Sequence, residues 1–83
     1  MKKTYMLTKD NCSFCEKAKQ YLEKTGLIEE IEDLQVVHKE SDEKLFETLK
    51  EEHNISTVPA FIRKDGSTLQ DSKGSNIRKF LNI

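Results

Sequence analysis

Lys3-Thr4-Tyr5-Met6-Leu7-Thr8-Lys9-Asp10-Asn11-Cys12-Ser13-Phe14-Cys15 passes from a β-prone run, through a polar loop, into two cysteines three positions apart. Residues 3–8 read as a strand. A helix should follow over about 13–25, because Phe14, Ala18, Tyr21, Leu22 and Thr25 recur at helical spacing on one face and Gly26 can stop it. The run 27–33 is ambiguous. Its Leu27, Ile28 and Ile31 suit either a helical extension or a loop over the core. A second strand is expected over 34–38, around Val36-Val37. Ser41 or Asp42 then caps a helix to about residue 53, with Leu45, Phe46 and Leu49 inward. Beyond Asn54-Ile55-Ser56-Thr57-Val58-Pro59 a strand is expected over 60–63. A hairpin turn at Asp65-Gly66 and a strand over about 67–70 follow. A last helix should start near Ser75 or Asn76 and bury Ile77, Phe80 and Leu81. The order β-α-β-α-β-β-α makes the first two strands parallel, with a right-handed crossover, and the last two an antiparallel hairpin. One four-stranded mixed sheet with helices on both faces, an α/β arrangement, accommodates it.

With 83 residues, the chain (1–83) reads as a single domain with a thin core. Function should then sit at loops and element ends rather than in a deep enclosed pocket. Charged residues make up 35% of the chain, as many as apolar ones, but the apolar residues cluster periodically, which argues for folding rather than disorder. A net charge of −1, with lysines interspersed among glutamates, argues against nucleic-acid binding. Met1-Lys2-Lys3 is followed by only a short apolar run, and nothing approaches the roughly 18 apolar residues of a membrane span. A cytoplasmic location and no membrane association are therefore expected. In a reducing compartment paired cysteines are more often catalytic or metal-binding than structural.

Cys12 and Cys15 are the chain's two cysteines. Their spacing puts both sulfurs on one side of a first helical turn, within disulfide reach. Near a β-α-β pattern such a pair reads as a redox motif. Cys12 should lie at or near the N-cap, facing unpaired backbone N–H groups and the positive end of the helix dipole. Both favour thiolate, so its pKa should fall below the ~8.5 of a free thiol. Lys9 and Lys17 add positive potential and Asp10 and Glu16 oppose it, which leaves the sign of the side-chain contribution open. Two blander readings compete. Inert core cysteines would not need this spacing at a helix start. A zinc site would have to recruit His38 and His53, whose spacing does not fit the usual pattern, so no metal is expected. An iron–sulfur cluster bridging two chains has no supporting feature.

The chain resembles the glutaredoxin branch of the thioredoxin superfamily over nearly its whole length. The resemblance rests on Thr8 to Cys15 with Ala18-Lys19, on Thr57-Val58-Pro59 leading into Ala60-Phe61-Ile62, and on Gly74-Ser75-Asn76-Ile77 at the last helix. It implies a thioredoxin-like fold and a cis Pro59 lying against the active site. It also implies that the Val58 backbone pairs with an extended glutathione or protein segment, as in short strand addition. Lys9, Phe14, Thr57, Val58, Pro59, Ser75 and Asn76 become the expected substrate-binding residues. There are departures. Ser13-Phe14 replaces the family's Pro-Tyr, freeing a backbone N–H near the sulfur. Ser72-Lys73 stands where a Gly-Gly turn is usual. Ser75-Asn76 stands where an acidic pair holds glutathione's amino group. In these respects the chain looks closer to glutaredoxin-like redoxins that thioredoxin reductase recharges and that supply electrons to ribonucleotide reductase.

The chemistry implied is a dithiol exchange in which Cys12 attacks a substrate disulfide and Cys15 resolves the adduct. No bound cofactor is required. Glutathione or a flavin-dependent, thioredoxin-reductase-type donor restores the dithiol. The expected partners are a disulfide-bearing protein substrate, such as ribonucleotide reductase, and that donor, with the chain itself a monomer. The competing class is a non-catalytic thioredoxin-like module that docks a partner. Phe14 could serve docking from an exposed position or fold back onto its helix. Tyr5, Tyr21, Phe46, Phe61 and Phe80 read as core, and His38 and His53 as surface residues.

Overall fold

The computed structural model describes residues 4–31 and 33–81; Lys3, the expected start of the first strand, lies outside them. Period-two alternation in β1 (Thr4–Thr8) sends Met6 to one face of a sheet and Leu7 to the other, and both are fully buried. A strand buried on both faces belongs in the middle of a sheet, and β1 does. It runs parallel to β2 (Leu34–His38) and antiparallel to β3 (Ala60–Ile62). β4 (Thr68–Leu69) closes the order β2-β1-β3-β4 through a hairpin. The hairpin turns at Gly66, in the left-handed region at φ 92°, beside an Asp65 carboxylate that accepts from Ser67 N–H.

Helices cover both faces. α1 (Ser13–Thr25), the single turn α2 (Leu27–Glu30) and α4 (Gly74–Leu81) enclose Met6, Ala18, Leu22, Leu27, Phe61 and Ile77. α3 (Glu43–Glu52) packs Phe46 and Leu49 against Leu7, Val37, Ile55, Ala60 and Ile62 on the opposite face. This is the thioredoxin-like α/β architecture expected from the sequence, with α2 added. The ambiguity over 27–33 resolves because Gly26, at φ 77°, ends α1 and turns the chain so that Leu27 enters the core. α4 starts at Gly74, just before the expected Ser75. Phe80 and Leu81 are half-buried, since α4 lays only Ile77 fully onto the sheet.

Gly74 seats α4 against α1. A Cβ there would collide with three atoms of the Tyr21 ring. Alanine gains at most ~1 kcal/mol of helix propensity, and less at a first helical position. Forcing a methyl into a packed contact costs about 1–3 kcal/mol. The steric term therefore wins. Gly74→Ala should lower the unfolding free energy by about 1–2 kcal/mol in urea titrations. The loss should shrink in a Tyr21→Leu background; an unchanged or raised stability would contradict this packing.

Candidate active site

The site forms where β1 ends. Asn11, in the left-handed region at φ 54°, turns the chain out of the strand, a conformation that asparagine tolerates better than most residues. Cys12 follows with extended dihedrals (φ −121°, ψ 102°) and becomes the N-cap of α1. Its carbonyl accepts the first helical bond from Glu16 N–H at 3.0 Å, and its sulfur accepts from Cys15 N–H at 3.2 Å. The sulfurs of Cys12 and Cys15 lie at disulfide distance, with Cα atoms 5.2 Å apart. Their access differs: Cys15 is 2% exposed, whereas Cys12 is half-buried at the surface. The loop before Cys12 is tied to the turn after β2. Lys39 N–H donates to the Thr8 carbonyl at 2.9 Å, and Asp10 N–H donates to Glu40 Oε1 at 3.1 Å.

Strand register brings a second segment to the same place. Leu7 pairs with Ala60, the first residue of antiparallel β3. The residues just before Ala60 therefore lie opposite those just after Thr8. The Val58–Pro59 bond is cis, and the Val58 carbonyl oxygen is 3.9 Å from Cys12 Sγ, an acceptor for the thiol when it is protonated.

An open groove of about 490 Å³ adjoins these residues. Lys9, Phe14, Thr57, Val58 and Pro59, all expected in a substrate site, line it. Ser75 and Asn76 do not. Because α4 begins at Gly74, they fall on its exposed first turn, and Asp71 and Ser72 line the groove instead. The Asn76 amide is committed internally, donating to Asp71 Oδ2 at 2.6 Å. Phe14 is exposed rather than folded into the core. It is 57% exposed, with the Lys17 ammonium 5.7 Å from its ring centroid. His38 and His53 are half-buried, more enclosed than expected, and neither lines the groove. Among the described residues no three His, Cys, Asp or Glu side chains gather as metal ligands.

Among the polar groove residues, sequence reasoning missed Lys39, Lys50, Ser56, Gln70, Asp71 and Ser72. Two of these had a signal. Thr8 pairs with His38 in the parallel β1–β2 ladder, so Lys9 and Lys39 emerge side by side at the carboxyl ends of adjacent strands, where α/β sheets place their ligand sites. Lys50 lies one helical turn beyond Phe46, on a helix already assigned to the sheet. With Lys9 these make three cations facing one carboxylate, Asp71, and a groove so charged attracts negatively charged chains.

Among protein families, the model described as Glutaredoxin matches residues 5–65. That span holds both cysteines and the Val58–Pro59 bond. No curated protein matches the chain.

Asp71 supplies a pH test of how the groove meets α4. Its carboxyl is held below the usual carboxylate range, first by the Asn76 amide and then by Lys73 N–H, which donates to Oδ1 at 3.0 Å. A folded-state pKa below the unfolded one means that these bonds stabilise the fold fully above the unfolded value, ~3.9, and stop doing so as pH falls through the lower folded value. Asp71→Asn should therefore lower the urea midpoint at about pH 7, with the deficit closing below about pH 4. A deficit independent of pH would show that the carboxylate charge has no part in it.

Proposed function

The chain belongs to the glutaredoxin family, and on that footing we propose that it is a single-domain thiol–disulfide oxidoreductase with Cys12 as nucleophile and Cys15 as resolving thiol. The observation that carries this reading is the position of Cys12. Its sulfur caps α1, sits at the surface, and faces the Val58 carbonyl at the groove. Backbone N–H groups and the helix dipole there favour a thiolate, the reactive form. A buried Cys15 cannot meet a protein disulfide first, but it lies within reach of Cys12 sulfur.

The exchange proceeds in two displacements. Cys12 thiolate attacks one sulfur of a substrate disulfide, forming a Cys12–substrate disulfide and expelling the other sulfur as thiolate. Cys15, giving up its proton, attacks Cys12 Sγ. The second substrate sulfur leaves and is protonated, and the protein is left with a Cys12–Cys15 disulfide. Two electrons pass to the substrate, and an external thiol donor returns the dithiol.

The extended backbone at Val58 suits an incoming strand, and Lys9, Lys39 and Lys50 suit an acidic one. Glutathione, the general reductant of the family, carries two carboxylates and fits that charge. Asn76, which stands where the family has an acidic residue, is held internally by Asp71 just before α4, and this weighs against tight glutathione binding and leaves a reductase-type donor as the alternative. We assign the chain to the cytoplasm, as a monomer acting on disulfide-bearing proteins such as ribonucleotide reductase. Among the described residues no helix is long and apolar enough to cross a membrane. A purely docking module would not need an accessible sulfur at a helix N-cap.

Cys15→Ser should accumulate a covalent adduct with a disulfide substrate, visible by mass spectrometry and released by dithiothreitol. Cys12→Ser should form none. If the Cys15→Ser protein never traps an adduct, the two-cysteine scheme is wrong. Supplying NADPH with either glutathione and its reductase, or thioredoxin reductase, identifies the donor: the reductase arm should recycle the oxidised protein faster.

A further inference from the structure

The segment that presents Val58 has little backbone support of its own. It leaves α3 through Asn54, which is left-handed at φ 53°, and Ile55 N–H closes onto the Lys50 carbonyl at 2.9 Å. From Ser56 to Val58 no strand or helix holds the chain, and β3 begins only at Ala60. Among the described residues one side-chain oxygen gathers this stretch. Gln70 Oε1 accepts from Ser56 N–H at 2.8 Å and Thr57 N–H at 3.0 Å, with the Ser56 and Thr57 hydroxyls at 3.2 and 3.4 Å. An amide oxygen has two lone pairs, so the two short N–H bonds hold it and the longer hydroxyl contacts add to them.

Gln70 directly follows β4, which is paired to β3. Its backbone is thus referenced to the sheet while its side chain reaches the docking loop from 13 and 14 residues away. We propose that Gln70 is a positioning residue for substrate docking. By fixing the Ser56 and Thr57 amides it restrains the Thr57–Val58 peptide that follows, and through it the approach to the Val58–Pro59 peptide, so that the Val58 N–H and C=O are set for an incoming extended segment. Gln70 does not touch the sulfurs. Its effect should therefore fall on docking, not on the intrinsic reactivity of Cys12. The chemistry needed is an acceptor at this point, not an amide as such, so a carboxylate of the same reach should serve equally.

This inference rests on the proposed exchange reaction, and its test separates the two. The probe is a synthetic peptide pair joined by a disulfide, carrying a fluorophore on one half and a quencher on the other. The reduced protein is mixed with it in single-turnover stopped flow. Gln70→Ala and Gln70→Leu should raise the half-saturating peptide concentration about three- to tenfold, the size expected for losing two exposed hydrogen bonds, and leave the saturating rate within about twofold. With a peptide pair of no net charge, which the added carboxylate in the groove neither attracts nor repels, Gln70→Glu should restore the wild-type concentration dependence. Amide exchange read by NMR tests the pin without any substrate: Ser56 and Thr57 should exchange several-fold faster in Gln70→Ala and return towards wild type in Gln70→Glu. Unchanged exchange in Gln70→Ala would overturn the proposal. So would a saturating rate that falls with docking unchanged, or a Gln70→Glu variant as impaired as Gln70→Ala. A wild-type protein that never cleaves the probe would instead sink the exchange reaction itself.

Discussion

An α-helix leaves its first amides without acceptors inside the helix, and in this protein one of them, Cys15 N–H, is satisfied by sulfur. Cys12 Sγ stands where serine or aspartate oxygen usually stands at an N-cap. The consequences run in both directions. The helix gains a cap that improves as the sulfur becomes anionic, because a thiolate is a far better acceptor than a thiol. The sulfur gains an environment that favours that anion. Capping and the proposed reactivity rest on the same interaction: the contact that starts α1 also holds the Cys12 sulfur at the surface.

The sheet places that sulfur beside the groove. β1 is flanked by a parallel neighbour and an antiparallel one, so one edge of the sheet collects the end of β1, the end of β2 and the start of β3. Cys12, Lys39 and the Val58–Pro59 peptide come from sequence positions far apart and meet because Leu7 pairs with Ala60 and Thr8 with His38. The apolar faces of these strands hold that register. A slip of one residue in β1 would exchange Met6 and Leu7 between the two cores, and each core is closed by different helices. The groove is therefore positioned by packing that none of its own polar residues supplies.

The sequence shows what depends on periodicity and leaves hidden what depends on side-chain reach. α1 and β2 were legible to the residue, because Ala18 and Leu22 repeat at helical spacing, Gly26 stops the helix, and Val36-Val37 favour a strand. The dithiol was legible because three-residue spacing at a strand-to-helix turn has a direct geometric meaning. α2 was not, since a single turn carries too little pattern to separate it from a loop. The groove divided along the same line. Lys9, Phe14 and Thr57 to Pro59 lie beside recognisable motifs. Gln70 acts through an exposed side chain across 13 residues, and no local pattern announces that. Ser75 and Asn76, expected from the resemblance to bind substrate, lie on the first turn of α4 outside the groove lining, which includes Asp71 and Ser72.

The central claim, that the helix start makes Cys12 the reactive thiolate, is tested most directly by ultraviolet thiolate absorbance against pH in reduced Cys15→Ser and Cys12→Ser proteins, which report Cys12 and Cys15 in turn. The account predicts that Cys12 ionises below the ~8.5 of a free thiol and below Cys15, which is buried within the helix. A Cys12 that ionises at or above the pH at which Cys15 does would contradict it.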